Sequence, residues 1–382
     1  MKICHVTTFW PTRYGHAIYT ENLIRGMRSF SDDQHVVIAD ARAEAKTTDL
    51  WSCVPCFSLG SDYVDAIADA VGAQKPDITI FQNSPDLFGL DERLPRLLER
   101  LKAMGAGPVV NSHSIYPPKW RTGVPPERNA VAYDRALARH ASLLTVHSRR
   151  MRQDLLDRGV DDAMIAVLPH GSKPLAQRDR DESRQKLGIP RDAKVVLFFG
   201  YVWLGKGIDH LLDIFARVAR DVPEAFLYVG GHTSKQLWAF YMTYLRLRAK
   251  MLGIGNRTLF SGGFVPEDMV PVVYSAGDVV AMPYRQDYSS VSGVVHQTAG
   301  IGKLMLCSRI AKFDEVTESI DPAITVDPHD KGAWVKTLRR LLTDEPWQAE
   351  LTGKIRRFAE ETSWNNVGRL HVETYRRLLE RS

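Results

Sequence analysis

Short apolar runs alternate along this chain with longer segments whose apolar residues recur at helical spacing. In the first half the short runs predict strands at Lys2–Thr7, His35–Ala39, Ile78–Phe81, Val109–Ser112, Leu143–Val146 and Ala166–Leu168. The longer segments predict helices at Ile18–Arg28, Tyr63–Val71, Asp91–Met104, Val131–His140 and Arg149–Arg158. This alternation is typical of parallel sheets whose strands are joined by crossover helices.

The same pattern begins again after a charged, turn-rich segment, Lys173–Arg184, which we interpret as a linker. The second series predicts strands at Val195–Gly200, Ala225–Gly230, Arg257–Ser261, Asp278–Met282 and Leu304–Cys307. Two doubly wound units in series are expected to turn the carboxyl ends of their strands toward one cleft. The last helical segment, Asn365–Glu380, is predicted to cross back onto the first domain. The expected domains are residues 1–172 with 363–382, and residues 185–362.

Length and composition narrow the class of protein. A chain of 382 residues exceeds what one hydrophobic core usually organises, and 44% hydrophobic with 25% charged residues is typical of a soluble globular protein. No apolar run approaches the roughly 20 residues that span a bilayer, and the N-terminus has the pattern of a strand, so we expect a cytoplasmic protein. The net charge of +5 is compatible with anionic ligands or an anionic membrane surface, and does not favour nucleic acid.

Several kinds of site are disfavoured by missing motifs. Cys53 and Cys56 form a single C-x-x-C without a second pair, which favours reduced thiols over a zinc or redox site. The first strand is not followed by G-x-G-x-x-G, so a dinucleotide site is disfavoured. No Ser-His-Asp order or H-E-x-x-H supports a hydrolase.

Loops that follow strands in the first half carry candidate ligand contacts. Gly15 stands at the entrance to a helix, where a missing side chain lets a ligand approach the backbone, although a plain turn glycine is the alternative. His113 and His170 each follow a predicted strand and so belong at the carboxyl edge of the sheet. A histidine there can bond a sugar hydroxyl or polarise a bound group, or it can have a structural role only.

The first loop of the second half places a cation at a strand-to-helix junction. Lys206 stands between Gly205 and Gly207, just before a helix predicted to start near Ile208. A lysine in such a loop can neutralise phosphate charge. Because Gly207 occupies the position where a Walker loop needs Ser or Thr, a magnesium-nucleotide loop of that kind is excluded.

A hydroxyl-rich turn, Ser289–Gly293, follows the strand Asp278–Met282 and leads into a helix-compatible segment. Free amides at a helix start, with hydroxyl groups beside them, can hold an anion such as a diphosphate. The alternative is an ordinary turn capped by serine. The place of this turn in the second of two matched domains favours the diphosphate.

The segment Lys235–Leu252 is aromatic and basic. One interpretation is that it docks on a membrane surface or a lipid-linked acceptor. The other is a helix that packs on its own domain and turns a solvated basic face outward.

Together these features resemble the retaining glycosyltransferases of family 4, which have the α/β GT-B fold of two Rossmann-like domains facing a central cleft. The resemblance covers nearly the whole chain, and no single motif decides it; order and spacing do. The matching segments are Pro11–Gly15, His113, Val146–Ser148 with Gly159, Val167–Gly171, Phe199–Gly207, Phe260–Gly262, Tyr274–Asp278 and Ser363–Trp364.

The resemblance implies a role for each candidate residue. Lys206 would neutralise the donor diphosphate and, with His113 on the transferring sugar, would form the catalytic set. The donor would also contact Gly15, Gly200, Gly230, Gly231, Ser289, Ser292, Gly293, Val294 and Gln297. The acceptor would contact Arg13, Tyr14 and His16, together with the Lys119–Arg121 loop. Such enzymes usually act without a metal, so the resemblance implies no metal or further cofactor. The leaving phosphate can itself help to deprotonate the acceptor, so no protein base is implied either.

The chain departs from the family pattern at the donor site. The two glutamates usually spaced E-x7-E are Ser289 and Gln297, and the arginine usual after the first glycine of the second domain is Tyr201. The glycine pair of the first loop is Gly15-His16. A subgroup with a serine phosphate loop roughly matches Ser289 and Ser292-Gly293-Val294.

The resemblance therefore implies transfer of a hexose-type sugar from UDP or GDP to a polysaccharide, lipid-linked or small-molecule acceptor, as in polysaccharide biosynthesis. It is compatible with peripheral contact at the inner membrane. Two alternatives stay open: a phosphorylase or nucleotide-sugar epimerase of the same fold, and a non-catalytic sugar-nucleotide binding protein.

Overall fold

A computed structural model of the chain describes residues 1–12, 15–117, 129–174, 176–231, 239–285 and 288–381. The chain forms two compact units. The first comprises Met1–Gly171, Tyr288–Val291 and Thr362–Ser382, and the second comprises Ser172–Asp287 and Ser292–Glu361. The short segment Tyr288–Val291 was expected in the second domain, and the structure groups it with the first unit instead.

The first unit is built on a sheet of eight strands in the order β3-β4-β2-β1-β5-β6-β8-β9, parallel except for β3. These strands are β1 Lys2–Thr7, β2 Gln34–Asp40, β3 Lys46–Thr47, β4 Ser52–Phe57, β5 Ile78–Asn83, β6 Pro108–Ser112, β8 Leu143–Val146 and β9 Ile165–Val167. The doubly wound order confirms the predicted parallel α/β class. Because β1 lies between β2 and β5, the chain winds away from it in both directions, and loops at such a switch point form ligand sites.

Seven helices of the first unit flank this sheet in the described residues. They are α1 Gly15–Arg28, α2 Val64–Gln74, α3 Pro85–Phe88, α4 Arg93–Ala103, α5 Ala130–His140, α6 Arg149–Asp157 and, from the C-terminal segment, α15 Trp364–Leu379. Val367, Val372 and Tyr375 of α15 are fully buried against Leu23 and Met27 of α1 and residues of the sheet. The predicted return of the last helix to the first domain is therefore present in the structure.

The helices α1 and α15 cross with their backbones in direct contact. A methyl group added at Gly26 would lie 2.1 Å from the carbonyl oxygen of Trp364, and one added at Gly368 would lie 2.1 Å from the carbonyl carbon of Gly26. No side chain fits at this crossing, so both glycines are required for the C-terminal helix to reach the sheet.

Three histidines are buried in the first unit, His5 of β1, His35 of β2 and His371 of α15. Burial lowers the pKa of His35 to about 4 and the pKa of His371 to about 3. The pKa of His5 falls well below its usual range, first because of burial and then because of His35 and His371. Nε2 of His5 and Nδ1 of His35 are 3.0 Å apart, and Nδ1 of His371 lies 2.8 Å from the hydroxyl of Tyr375. All three are neutral in the folded protein at neutral pH.

We expect the free energy of unfolding to fall as the pH drops below about 6.5. Below this pH the histidines of the unfolded chain bind protons, whereas the buried histidines of the folded protein stay neutral. At about pH 5 a histidine such as His35 should account for a loss of about 2 kcal/mol. Urea unfolding at neutral pH and at about pH 5 measures the loss, and His35→Asn should make it smaller by about that amount. An equal loss in the parent and the variant would contradict the assignment.

The second unit contains a six-stranded parallel sheet in the order β12-β11-β10-β13-β15-β16. The strands are β10 Lys194–Phe199, β11 Ala225–Gly230, β12 Thr258–Phe260, β13 Val279–Met282, β15 Leu304–Ser308 and β16 Thr325–Val326. The helices are α7 Arg180–Leu187, α8 Ile208–Asp221, α9 Ala239–Met251, α10 Val270–Ala276, α11 Gly293–Gly300, α12 Asp314–Ser319, α13 Lys331–Thr343 and α14 Glu345–Glu361. This unit has its own core around Val196, Leu197 and Phe198 of β10.

The predicted linker is partly helical. Helix α7 lies within Lys173–Arg184 and beyond it, and the fully buried guanidinium of Arg184 anchors it. That group donates to the carbonyl oxygens of Ala276 and Arg191 and to the carboxylate of Asp278, at 3.1, 2.6 and 2.7 Å. A charged sequence thus packs as part of the domain because its arginine is fully satisfied inside.

The cysteines are free thiols, and burial raises the pKa of Cys53 to about 12 and that of Cys56 to about 11. Among the residues described, no group of histidine, cysteine and acidic side chains is arranged to hold a metal ion. Nor does any helix in the described ranges have the length and apolar character needed to cross a membrane.

Candidate functional site

Glycines line the carboxyl edge of the second sheet where β10 and β11 end. Gly231 has a φ of +149°, and a methyl group added to it would lie 1.8 Å from the carbonyl oxygen of Gly200. Gly200 itself has a φ of +125° and donates its amide to the carbonyl of Gly230 at 3.0 Å. The two loops pack backbone to backbone here, and neither glycine has a side chain that would obstruct a flat ligand.

The Lys206 loop is held against the strand β13 by a second close backbone contact. Gly207 is left-handed, with a φ of +65°, and a methyl group on it would lie 2.0 Å from the carbonyl oxygen of Pro283. Gly205 accepts a hydrogen bond from the amide of Arg285 at 2.9 Å. These contacts set Lys206 at the foot of α8, beside the residues that follow β13.

The ammonium group of Lys206 lies 3.6 Å from the ring centre of Tyr284. Burial, and then the positive charge of Lys312, hold the pKa of Lys206 well below its usual range. Within the described ranges, no carboxylate or carbonyl oxygen bonds this ammonium. Burial disfavours the charged form of this lysine, and the ring face stabilises it only in part. An anion that binds here would therefore gain a strong interaction with the ammonium group.

The start of helix α11 lies next to this loop and offers free amides. Ser292 occupies the cap position, and its buried side chain makes no capping hydrogen bond. The helix bonds begin with Val295 and His296, both to the carbonyl of Ser292, so the amides of Gly293 and Val294 are unused within the described residues. Val294 lies beside Gly200, its methyl carbon 3.8 Å from where a side chain of Gly200 would begin. The helix start and the glycine edge therefore adjoin.

Gln297 lies one turn into α11 and is held inside the unit. Its side-chain oxygen accepts a hydrogen bond from the hydroxyl of Tyr274 at 3.3 Å. Burial raises the pKa of Tyr274, which keeps this hydroxyl protonated as a donor. A glutamine at this position is thus oriented by a neutral donor, where a carboxylate would be expected from the family pattern.

Ser289 does not belong to the turn that starts α11. Ser289 and Ser290 form a short strand, β14 Ser289–Ser290, paired antiparallel with β7 Ser114–Ile115 of the first unit. Tyr288 stacks on Tyr116 beside this pair, with ring centres 5.2 Å apart. The predicted hydroxyl-rich turn is therefore divided: its first serines are strand residues of the first unit, and only Ser292 stays at the helix start.

The carboxyl edge of the first sheet gathers four histidines around one tyrosine. His113 lies with its ring centre 4.8 Å from that of His16 and 5.0 Å from that of His147. The ring of Tyr19 lies 4.7 Å from His113 and 5.2 Å from His170. The structure thus brings together His16 of α1 with His113 and His170, which are far apart in the sequence.

Both ring nitrogens of His113 have protein partners. Nδ1 lies 3.3 Å from Nε2 of His147, whose Nδ1 donates to the carbonyl of Leu168 at 2.9 Å. Nε2 of His113 lies 2.8 Å from the side-chain amide of Gln82. That contact is made by the side-chain oxygen of Gln82, which also accepts a hydrogen bond from Nδ2 of Asn111 at 2.9 Å.

His113 is neutral, because burial and the neighbouring His16, His147 and His170 hold its pKa well below the usual range. Because an amide oxygen only accepts, Nε2 of His113 is the protonated nitrogen and donates to Gln82. His113 is then fixed in one tautomer by a chain of contacts, as a neutral ring.

The remaining predicted residues fall at the start of α1 or outside the described ranges. Gly15 begins α1, and among the described residues beyond its chain neighbours nothing lies within 4 Å of the position where its side chain would start. Arg13, Tyr14 and Lys119–Arg121 lie outside the residues that the structure describes.

Sequence reasoning missed the residues that orient the candidate groups. The ring of Tyr284 lies under the ammonium of Lys206, and Tyr19, Gln82 and His147 contact His113. Their common signal is that Gln82, His147 and Tyr284 lie at or just after the end of a strand, as the predicted ligand residues do.

Two family models match the chain. The glycosyl transferase 4-like domain matches residues 14–171, and the model for glycosyl transferases group 1 matches residues 193–344. Among curated proteins, the D-inositol 3-phosphate glycosyltransferase of Corynebacterium urealyticum is 30% identical over 224 residues, which are 56% of this chain and 52% of that protein. The protein of the same name from Mycolicibacterium smegmatis is 31% identical over 240 residues, 62% of this chain and 50% of its own. The chain spans about half the length of the curated relatives it matches.

Solved structures show the same fold at low sequence identity. HepE of Anabaena, solved in complex with UDP, has a TM-score of 0.77 at 16% identity and aligns over 98% of this chain and 99% of its own. Sucrose-phosphate synthase from Thermosynechococcus elongatus has a TM-score of 0.77 at 17% identity over the whole of both chains. The two matched domains follow each other as the sequence motifs predicted, and the chain belongs to the GT-B glycosyltransferases of the family 4-like type.

Proposed function

We propose that the second unit binds a nucleotide diphosphate sugar and that the protein transfers a hexose-type sugar from it to an acceptor hydroxyl. This proposal rests on Lys206, whose ammonium lies over Tyr284, and on the unused amides of Gly293 and Val294 at a helix start that adjoins Gly200, a residue of the same loop as Lys206. A diphosphate satisfies the cation and the amides at once. The hydroxyl of Ser292 is a further donor to it.

The same groups supply the chemistry of the departure step. When the bond between the sugar and the diphosphate breaks, negative charge develops on the phosphate oxygens, and fixed donors aimed at that charge lower the barrier. Lys206 and the start of α11 hold this charge without a metal ion. The glycine edge at Gly200 and Gly231 takes the flat base and ribose, and the released phosphate oxygen takes the acceptor proton, with retention at the anomeric carbon.

UDP and GDP are the nucleotides that we propose. Structures of the similar Anabaena protein were solved with UDP and with UDP-glucose, which supports a uridine nucleotide for this chain too. The acceptor is proposed to bind the first unit near His16, at the edge of the histidine cluster, where a ring nitrogen can bond hydroxyl groups. A glycan, a lipid-linked sugar or a small polyol presents such hydroxyls, and the curated relatives are named for an inositol phosphate.

A panel of UDP, GDP, ADP and TDP with their sugars should reveal the donor as a rise in melting temperature, because a ligand that binds only the folded protein stabilises it. The same donor should then be consumed with release of the nucleoside diphosphate when acceptors are offered. NMR of the product should show retained anomeric configuration. If no nucleotide shifts the melting temperature, the donor assignment fails.

Two outcomes would replace transfer by the alternative functions. Faster turnover with free phosphate than with any acceptor would indicate a phosphorylase. Binding of a nucleotide sugar without turnover of any donor would indicate a binding protein, for which Gln297 in place of a carboxylate is the supporting observation.

A further inference from the structure

Helix α9 is apolar on two faces. Tyr241, Met242, Leu245 and Ala249 are buried in the core of the second unit. On the outer face four large side chains are exposed: Phe240 by 81%, Tyr244 by 40%, Leu247 by 55% and Met251 by 66%. Their spacing of four, three and four residues places them in one line along the helix, which we name the α9 stripe.

This exposure exceeds what domain packing requires. Single exposed apolar residues are ordinary on a soluble protein, whereas a contiguous apolar patch marks an interaction surface. The α9 stripe is continuous over three turns of a helix whose opposite face already satisfies the core. It therefore has the form of a docking surface.

The chain segment that carries the α9 stripe has basic residues and no acidic ones. From Ala225 to Pro266 the chain has five lysine and arginine residues and no aspartate or glutamate. Arg246 and Lys250 are exposed on α9 itself, next to the stripe. Arg248 is already paired, since it donates to Asp213 at 2.6 Å. Arg246, whose guanidinium also lies over the ring of Phe260, and Lys250 thus flank the apolar line on the solvent side.

We propose that the α9 stripe docks the protein on a membrane surface rich in anionic lipid. Phe240, Leu247 and Met251 enter the boundary between head groups and acyl chains, and Arg246 and Lys250 pair with lipid phosphates. A second copy of the chain is a poorer occupant, because self-pairing of the stripe would bring the exposed Arg246 and Lys250 of both copies together. This surface lies on the second unit and does not depend on the donor chemistry.

Flotation with vesicles tests this surface directly. The full chain should float with vesicles of equal parts phosphatidylcholine and phosphatidylglycerol, and much less with phosphatidylcholine alone. Arg246→Glu with Lys250→Glu should lower the partition coefficient on anionic vesicles roughly tenfold or more. Phe240→Ser with Leu247→Ser should lower it to a similar extent, roughly tenfold, because the apolar contribution is lost.

Matched controls separate this surface from general charge and apolarity. Lys336→Glu with Arg357→Glu changes the net charge by the same amount on exposed positions elsewhere, and Phe30→Ser removes an exposed aromatic of the first unit. Both controls should bind as the parent does, and every variant should keep the parent's melting temperature.

Three results would overturn the proposal. The first is a parent protein that stays unbound on anionic vesicles. The second is an equal loss of binding in the control charge reversal and in the α9 charge reversal. The third is a dimer in sedimentation that Phe240→Ser with Leu247→Ser dissociates, which would assign the stripe to a second copy.

Discussion

Replacing Lys206 by methionine should lower kcat/KM for the nucleotide-sugar donor by roughly two to three orders of magnitude. The ammonium over Tyr284 is the side-chain cation proposed to face the departing diphosphate, and the amides of α11 remain to hold part of the charge. Steady-state kinetics with the identified donor measures the effect. The exposed Lys336→Met variant removes the same charge elsewhere and should retain the parent's turnover.

The same substitution should leave the unliganded protein as stable as the parent, or more stable. Burial holds the pKa of Lys206 well below its usual range, so the folded protein loses free energy by keeping this group charged. Methionine removes that cost while filling similar volume. Loss of activity together with a lowered melting temperature would point to a structural role, and unchanged turnover would remove Lys206 from the site.

The second large effect is expected where α1 and α15 cross. Gly26→Ala and Gly368→Ala should each destabilise the protein by roughly 3 kcal/mol or more, because the added methyl group meets backbone atoms that cannot move aside. Gly353→Ala is the matched control: it lies in α14, and nothing stands within 4 Å of the new methyl group. Alanine there should stabilise the helix by up to about 1 kcal/mol. Urea unfolding measures all three.

The same chemical change should thus have opposite signs at the crossing and in α14. Equal effects at Gly26, Gly368 and Gly353 would show that the C-terminal helix tolerates a gap from α1. The crossing would then not be what secures the helix to the first sheet.

Apolar runs predicted most of the strands because parallel strands are buried on both faces and appear as continuous apolar runs. The strand β4 was not predicted, because its sequence Ser-Cys-Val-Pro-Cys-Phe contains a proline, which argues against a strand interior. The structure accepts Pro55 because β3 pairs only with Ser52 and Cys53, so the proline faces no partner on that side.

Helix α7 was hidden for a different reason. Its buried side includes Ser183 and Arg184, so its sequence lacks the apolar stripe that predicts a helix. The partners of Arg184 that make its burial possible, Ala276 and Asp278, lie more than ninety residues away along the chain. Contacts of this kind depend on the tertiary fold and leave no local pattern.

Some features of the candidate site could likewise be predicted from the sequence, and others depend on the tertiary fold. Gly200, Lys206, Gly231 and the start of α11 were predictable, because each follows a strand and is therefore brought to the carboxyl edge of the sheet. The position of Lys206 over Tyr284 was not, since the two residues are 78 positions apart. Ser289 was misplaced because a short hydroxyl-rich turn and a short edge strand look alike in sequence.

The most direct test of the central claim compares nucleoside diphosphate with monophosphate by titration calorimetry. If Lys206 and the start of α11 form the diphosphate site, the parent should bind UDP or GDP roughly tenfold or more tightly than UMP or GMP. In Lys206→Met this preference should largely disappear while the monophosphate affinity stays close to that of the parent. Equal affinities for the two nucleotides in the parent, or an undiminished preference in the variant, would contradict the account.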